Sequence, residues 1–170
     1  MEFQSCFDII GPIMVGPSSS HTAGVVSIGK LIHELLGDYP QETNIVFYDS
    51  FAETYQGHGT DKALLGGLLG MDTDDSRIKN SLEWAKENGM QYEIEFESCC
   101  EYFDHPNTTI VTAKRGDHVV KVGGASLGGG LSKIFMIGEK MVDIRLSAGE
   151  DFAALAREYQ SREQALLVAL

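Results

Sequence analysis

Two Gly-Pro pairs, Gly11-Pro12 and Gly16-Pro17, bracket the short apolar run Ile13-Met14-Val15, and Ser18-Ser19-Ser20-His21-Thr22 follows at once. Proline fixes φ and lacks an N–H, and glycine is too free to hold regular structure, so the chain must bend here. Regular structure can resume only at the serines. From Thr22 to Leu36 the residues Val25, Ile28, Leu31, Ile32, Leu35 and Leu36 fall on one helical stripe, and Gly37 is a natural stop. Ser18, Ser19 or Ser20 is placed to cap that helix. A helix start gathers unpaired N–H donors and the positive end of the macrodipole, which attract a carboxylate. Several hydroxyls and one imidazole at that point make a small polar pocket suited to a hydroxylated acid and to moving a proton.

On its own, a serine run before a helix is an ordinary cap. A second segment repeats the design: Gly57-His58-Gly59-Thr60-Asp61, expected as the end of a loop leading into an apolar helix over Lys62–Leu69. The glycines beside His58 allow unusual backbone angles and close approach to a ligand, and Thr60 or Asp61 can cap the helix. A neutral imidazole with pKa near ~6.5 suits proton transfer at neutral pH and is also a common metal ligand. A third polar cluster, His105-Pro106-Asn107-Thr108, is expected as a loop-to-strand transition.

The rest of the chain sets the architecture. Thr43–Phe51 is rich in β-branched and aromatic residues and is expected as a buried strand. An acidic turn, Asp72–Asp75, opens an amphipathic helix over Ser76–Asn88, and Gln91–Glu97 alternates as a strand with Tyr92, Ile94 and Phe96 on one face. Thr108–Lys114 and His118–Val122 are joined by Arg115-Gly116-Asp117, a hairpin signal. Gly123–Gly130 is expected as a glycine-dense hinge, followed by strands over Ser132–Ile137 and Met141–Leu146. The tail, 149–170, has a helical pattern with Leu155, Tyr159, Leu166 and Leu167 as docking residues. The expected order α-β-α-α-β and then four strands defines an α+β fold, helices packed on a mixed, mostly antiparallel sheet.

With a net charge of −12 and no Lys/Arg cluster to offset it, the chain is not expected to bind nucleic acid or an anionic membrane. No stretch has the pattern of a signal peptide or the length of a membrane span. Three cysteines, Cys6 and the adjacent Cys99-Cys100, form neither a disulfide framework nor a metal-knuckle spacing, which points to a reducing cytoplasm. The Gly123–Gly130 run lacks both nucleotide-binding glycine patterns, and Ser27-Ile28-Gly29-Lys30 matches S-x-x-K in letters only. His33 and His118 are expected as surface or packing residues.

The segments Ser5–Gly24, Tyr48–Asp61, His105–Thr108, Gly124–Gly130 and Arg145–Ser147, in that order, resemble the β subunit of bacterial iron–sulfur-dependent L-serine dehydratase. The resemblance covers residues 5 to 147 or so, with 1–148 as the β domain and 149–170 as a helical tail. It implies conversion of L-serine to pyruvate and ammonia without pyridoxal phosphate. A 4Fe-4S cluster would be held by cysteines of a partner α subunit, in a hetero-oligomer, with a homodimer as the state of the chain alone. It also implies a likeness to the allosteric substrate-binding domain of D-3-phosphoglycerate dehydrogenase. Similar β chains often continue past a segment like Arg145–Ser147 into an ACT domain; none is recognised in 149–170, so either the lineage lacks it or the chain has been cut. With that family in view, His58 is the expected general base and His21 the partner of the substrate or its leaving hydroxyl. Ser18, Ser19, Ser20, Thr22, Thr60, Asp61 and Asn107 are the expected substrate-binding residues, and no residue is assigned to a metal. Two other readings stay open: a catalytically empty amino-acid-binding regulatory module, and a metal-dependent hydrolase using His21, His58 and Asp49.

Overall fold

Thr43, Ile45 and Phe47 alternate inward along strand β1, Glu42–Tyr48, and are buried against helices. The computed structural model describes the backbone of residues 12–168, and side chains there except those of 163 and 165–168. Cys6, Gly11 and the side chains of Leu166 and Leu167 therefore lie outside the described residues. Strand β1 is flanked by β2, Gln91–Glu97, in parallel and by β3, Thr108–Arg115, antiparallel. Strands β4 (His118–Gly128), β5 (Leu131–Ile137) and β6 (Lys140–Ser147) continue antiparallel, giving the sheet order β2-β1-β3-β4-β5-β6. A mixed, mostly antiparallel six-stranded sheet with helices is the α+β architecture expected.

Helix α1, Gly24–Leu36, lies across the sheet and buries the whole stripe read from the sequence. Helices α2 (Ser50–His58), α3 (Thr60–Leu68) and α4 (Ser81–Glu87) fill the connection from β1 to β2, with a 3-10 turn, Ser76–Asn80, before α4. Helix α5, Phe152–Val168, returns to α1: Phe152 and Ala156 join the core, Leu155 and Tyr159 pack at its margin, and Gln160 donates to the Leu35 carbonyl at 3.0 Å. A smaller apolar cluster, Ile110, Phe135 and Met136, packs with Phe103 of the 98–107 loop, whose ring stacks on Phe135 at 5.0 Å.

Several expectations are corrected. The strand does not run to Phe51; it stops at Tyr48, and Asp49, with φ 50° and ψ −123°, turns the chain directly into α2. The expected loop before Gly57 is therefore a helix, and His58 is its last residue. The Ser76–Asn88 helix begins as a 3-10 turn and becomes α-helical only at Ser81. Gly123–Gly128 is not a hinge but the second half of β4. Its glycines are there for close packing: a Cβ at Gly123 would meet the Phe135 ring at 2.5 Å, and one at Gly124 would meet Ile28 at 2.9 Å.

Candidate functional site

One end of the sheet collects the pieces. The end of β1, the start of β3 and the Gly128–Gly130 turn between β4 and β5 lie together, as the register of Phe47 with Thr109 and of Thr108 with Ala125 requires. The serine run approaches this end as a π-helical turn, Ser19–Ala23, in which the Gly24 N–H donates to the Ser19 carbonyl. Ser18 is its cap: extended in backbone, it accepts from the His21 N–H at 3.3 Å. Gly24 lets this turn close on the sheet, because a Cβ there would overlap the Ser126 hydroxyl. Ser19 Oγ accepts from the Gly129 N–H at 3.3 Å, tying the turn to the glycine loop.

His21 is held on all sides. Its Nδ1 lies 3.0 Å from Ser20 Oγ and 3.3 Å from Ser18 Oγ, and its Nε2 lies 3.4 Å from Ser50 Oγ. The Phe51 ring meets it edge-on at 5.3 Å. The His58 ring packs against it with centroids 4.3 Å apart and planes 31° apart. Burial, and secondly the charge that His58 would carry, push the His21 pKa below 6.5. A lowered pKa keeps His21 a neutral imidazole at pH 7, with one ring nitrogen able to donate and the other to accept.

His58 reaches His21 because α2 ends there. Gly59, left-handed at φ 67°, closes α2 through its N–H to the Tyr55 carbonyl and opens α3 in the same step. This replaces the expected caps: neither Thr60 nor Asp61 caps α3. Thr60 is fully buried, its hydroxyl without a partner among the described residues, and the Asp61 carboxylate accepts from the Lys62 N–H at 2.8 Å. Burial raises the Asp61 pKa, against the opposing pull of Lys62. Thr22 is buried beside the pair and its hydroxyl donates to the His58 carbonyl at 3.5 Å.

The 105–107 loop borders the site through its backbone. The Pro106 carbonyl accepts from the Phe51 N–H at 3.4 Å, and the Asn107 carbonyl accepts from the Ser126 N–H at 2.9 Å. The Asn107 N–H donates to His105 Nδ1 at 3.1 Å. Burial holds the His105 pKa below 6.5 despite Asp104. The structure thus brings His21, His58, Ser18, Ser19, Ser20 and Thr22 together and sets Asn107 at the border. It buries Thr60 and turns Asp61 to its own helix. Ser50 was missed in the sequence: its signal was masked by the reading of Thr43–Phe51 as one strand. His33 is a packing residue, its Nδ1 2.9 Å from the Leu68 carbonyl, as expected.

Fold and site together define a mixed-sheet domain in which a helical turn and a helix end bring two imidazoles together, one of them held by serine hydroxyls. The chain belongs to the serine dehydratase beta chain family, whose model matches residues 5–133. It is 46% identical over 134 residues to a protein of Bacillus subtilis (strain 168) described as "Probable L-serine dehydratase, beta chain", a match covering 79% of this chain and 60% of that one. It is 41% identical over 142 residues to "L-serine dehydratase, beta chain" of Peptoniphilus asaccharolyticus, covering 83% of this chain and 64% of the relative. "L-serine dehydratase 2" of Escherichia coli (strain K12) is 34% identical over 138 residues, which are 30% of its length. The chain thus spans less than two thirds of these curated relatives. Among the described residues no helix is long and apolar enough to cross a membrane.

Proposed function

We propose that this chain is the beta component of a two-component L-serine dehydratase, converting L-serine to pyruvate and ammonia with a cluster-bearing alpha chain. The observation that carries the reading is the 4.3 Å contact of His58 with His21, whose ring nitrogens face the hydroxyls of Ser18, Ser20 and Ser50. Losing water from serine needs a base for the Cα proton and a donor for the departing hydroxyl, and no redox partner. Imidazole is the side chain suited to both tasks near neutral pH, and burial with the neighbouring His58 holds the His21 pKa below its usual value.

The described residues do not fit a 4Fe-4S cluster. Cys99 is exposed, Cys100 is next to it in the chain, and no three His, Cys, Asp or Glu side chains gather at one point among them. The cluster belongs, in this proposal, to the alpha chain, and this chain supplies proton transfer and hydrogen bonding. His58 takes the Cα proton. His21, held by Ser18, Ser20 and Ser50, donates its ring proton to the β-hydroxyl as the C–O bond breaks, so that water leaves, and the proton taken up by His58 is returned to His21 to restore the starting pair. The aminoacrylate so formed tautomerises to the imine, and a second water hydrolyses it to pyruvate and ammonia. The reaction would take place in the cytoplasm.

The test is pyruvate formation from L-serine under anaerobic conditions by this chain with a cysteine-rich alpha chain, with each alone, and with His58→Ala. Turnover that needs both chains and collapses in the variant supports the reading. A complex that binds L-serine without turning it over would replace it with that of a regulatory module.

A further inference from the structure

Lys62 and Lys79 line one cavity of about 360 Å³, together with Thr22, Gln56 and the Gly57–Gly59 turn, and His58 is its common member with the imidazole pair. The chain has 25 acidic side chains against 13 lysines and arginines, so carboxylates to neutralise a lysine are in surplus. Lys30, Arg77, Lys114, Arg115, Lys133 and Arg162 each pair with one. Lys62 and Lys79, like Lys86, Lys121, Arg145 and Arg157, form no ion pair among the described residues, and these two line the cavity beside His58. Even Asp61, the neighbour of Lys62 in the chain, turns its carboxylate to the Lys62 backbone N–H. A Cβ at Gly57 or Gly59 would meet nothing within 4 Å, so approach to the backbone on either side of His58 is open.

Two lysines without an ion pair around a concavity of ligand size recognise an anion, and the size and the neighbouring His58 imidazole select a small organic acid. We propose that this cavity binds a small carboxylate, with Lys62 and Lys79 as its cations and His58 as the wall it shares with His21. Lysine is well matched to such an anion, because a compact charge on a flexible stem holds a carboxylate without demanding bidentate geometry. In an α-amino acid the Cα–H is one bond from the carboxylate, so an acid anchored by the lysines presents that hydrogen to His58. The proposal rests on the dehydratase reading only in naming the substrate's carboxylate as the occupant; binding of a carboxylate by the two lysines is independent of it.

The experiment follows the side-chain NMR signals of Lys62, Lys79 and His58 in the full chain during titration with L-serine, lactate and serinol, the last having no carboxylate. L-Serine and lactate should move both lysine signals and serinol should not. Lys62→Met/Lys79→Met should weaken binding of both acids at least tenfold, and Lys62→Arg/Lys79→Arg should restore it. An unchanged melting curve certifies that each variant is folded. Equal effects of serinol, or undiminished acid binding by the methionine variant, would overturn the site. In the complex with the alpha chain, the methionine variant should raise KM for L-serine at least tenfold with kcat within a few-fold of wild type. Normal KM there would overturn the substrate assignment, whereas acid binding without any turnover in the wild-type complex would overturn the dehydratase reading and leave the lysine site standing.

Discussion

His21, in the turn that opens α1, and His58, the last residue of α2, meet ring to ring at 4.3 Å although they lie on different elements. A charge on His58 would lower the His21 pKa, so the two side chains are coupled. If His58 is the base in the proposed complex with an alpha chain, replacing it by Ala should lower kcat by about a hundredfold or more, within the range that general bases contribute. Groups acting as a unit give non-additive losses. The His21→Ala/His58→Ala double variant should therefore fall little below His58→Ala, as steady-state pyruvate formation will show.

The same contact makes stability depend on pH. Burial first, and His58 second, lower the His21 pKa, and burial lowers that of His105. In the unfolded chain both histidines protonate near the ordinary 6.5, while the native chain resists. Between the two pKa values the unfolded state holds more protons, so stability falls as pH drops below about 6.5 and levels off below the native values. Thermal unfolding at pH 7.5 and 6.0 should show a lower Tm at the acid pH. The difference should shrink in His21→Gln; an equal difference in that variant would assign the effect elsewhere.

Asp49 is the one non-glycine residue with positive φ among those described, and its side chain makes no capping bond to α2. Such a backbone costs on the order of 1–3 kcal/mol. Asp49→Gly should relieve most of that, against the added entropy of glycine in the unfolded chain, and raise stability by about 1 kcal/mol in urea unfolding. A loss of stability would mean that the carboxylate holds the turn.

Gly29 of α1 and Gly67 of α3 face each other where the helices cross. A Cβ at Gly29 would sit 2.6 Å from the Leu64 carbonyl oxygen and 3.0 Å from the Gly67 Cα. Both neighbours are backbone and cannot rotate away. Gly29→Ala should cost about 1–3 kcal/mol through overpacking, despite alanine's better helix propensity, and lower Tm by several degrees. His58 ends α2 and only Gly59 separates it from the start of α3, so a shift of α3 should reach it and turnover should drop.

Much of this was legible in the chain. The stripe from Val25 to Leu36, the alternation in Gln91–Glu97 and the hairpin at Arg115–Asp117 carry their periods openly, and burial follows period. A serine cap among Ser18, Ser19 and Ser20 was also visible, as was a histidine shortly before each of two helices, although His58 also closes α2. What misled was local composition overridden by context. Ser50 and Phe51 were read as the end of the Thr43–Phe51 strand, yet the turn at Asp49 starts a helix there. Gly123–Gly128 looks like a hinge, yet its missing side chains make room for Phe135 and Ile28 inside a strand.

By itself the sequence decided which chemistry was on offer: imidazoles and hydroxyls beside helix starts, a sheet with helices, and a surplus of negative charge. Tertiary structure alone decided which of those groups meet. Periodicity records how a segment relates to solvent and to the core, but the distance from His21 to His58, the burial of Thr60 and the shared cavity of Lys62 and Lys79 depend on how helices cross. That crossing is set by packing between segments far apart in the chain, at Gly24 on Ser126 and Gly29 on Gly67, and no local pattern encodes it.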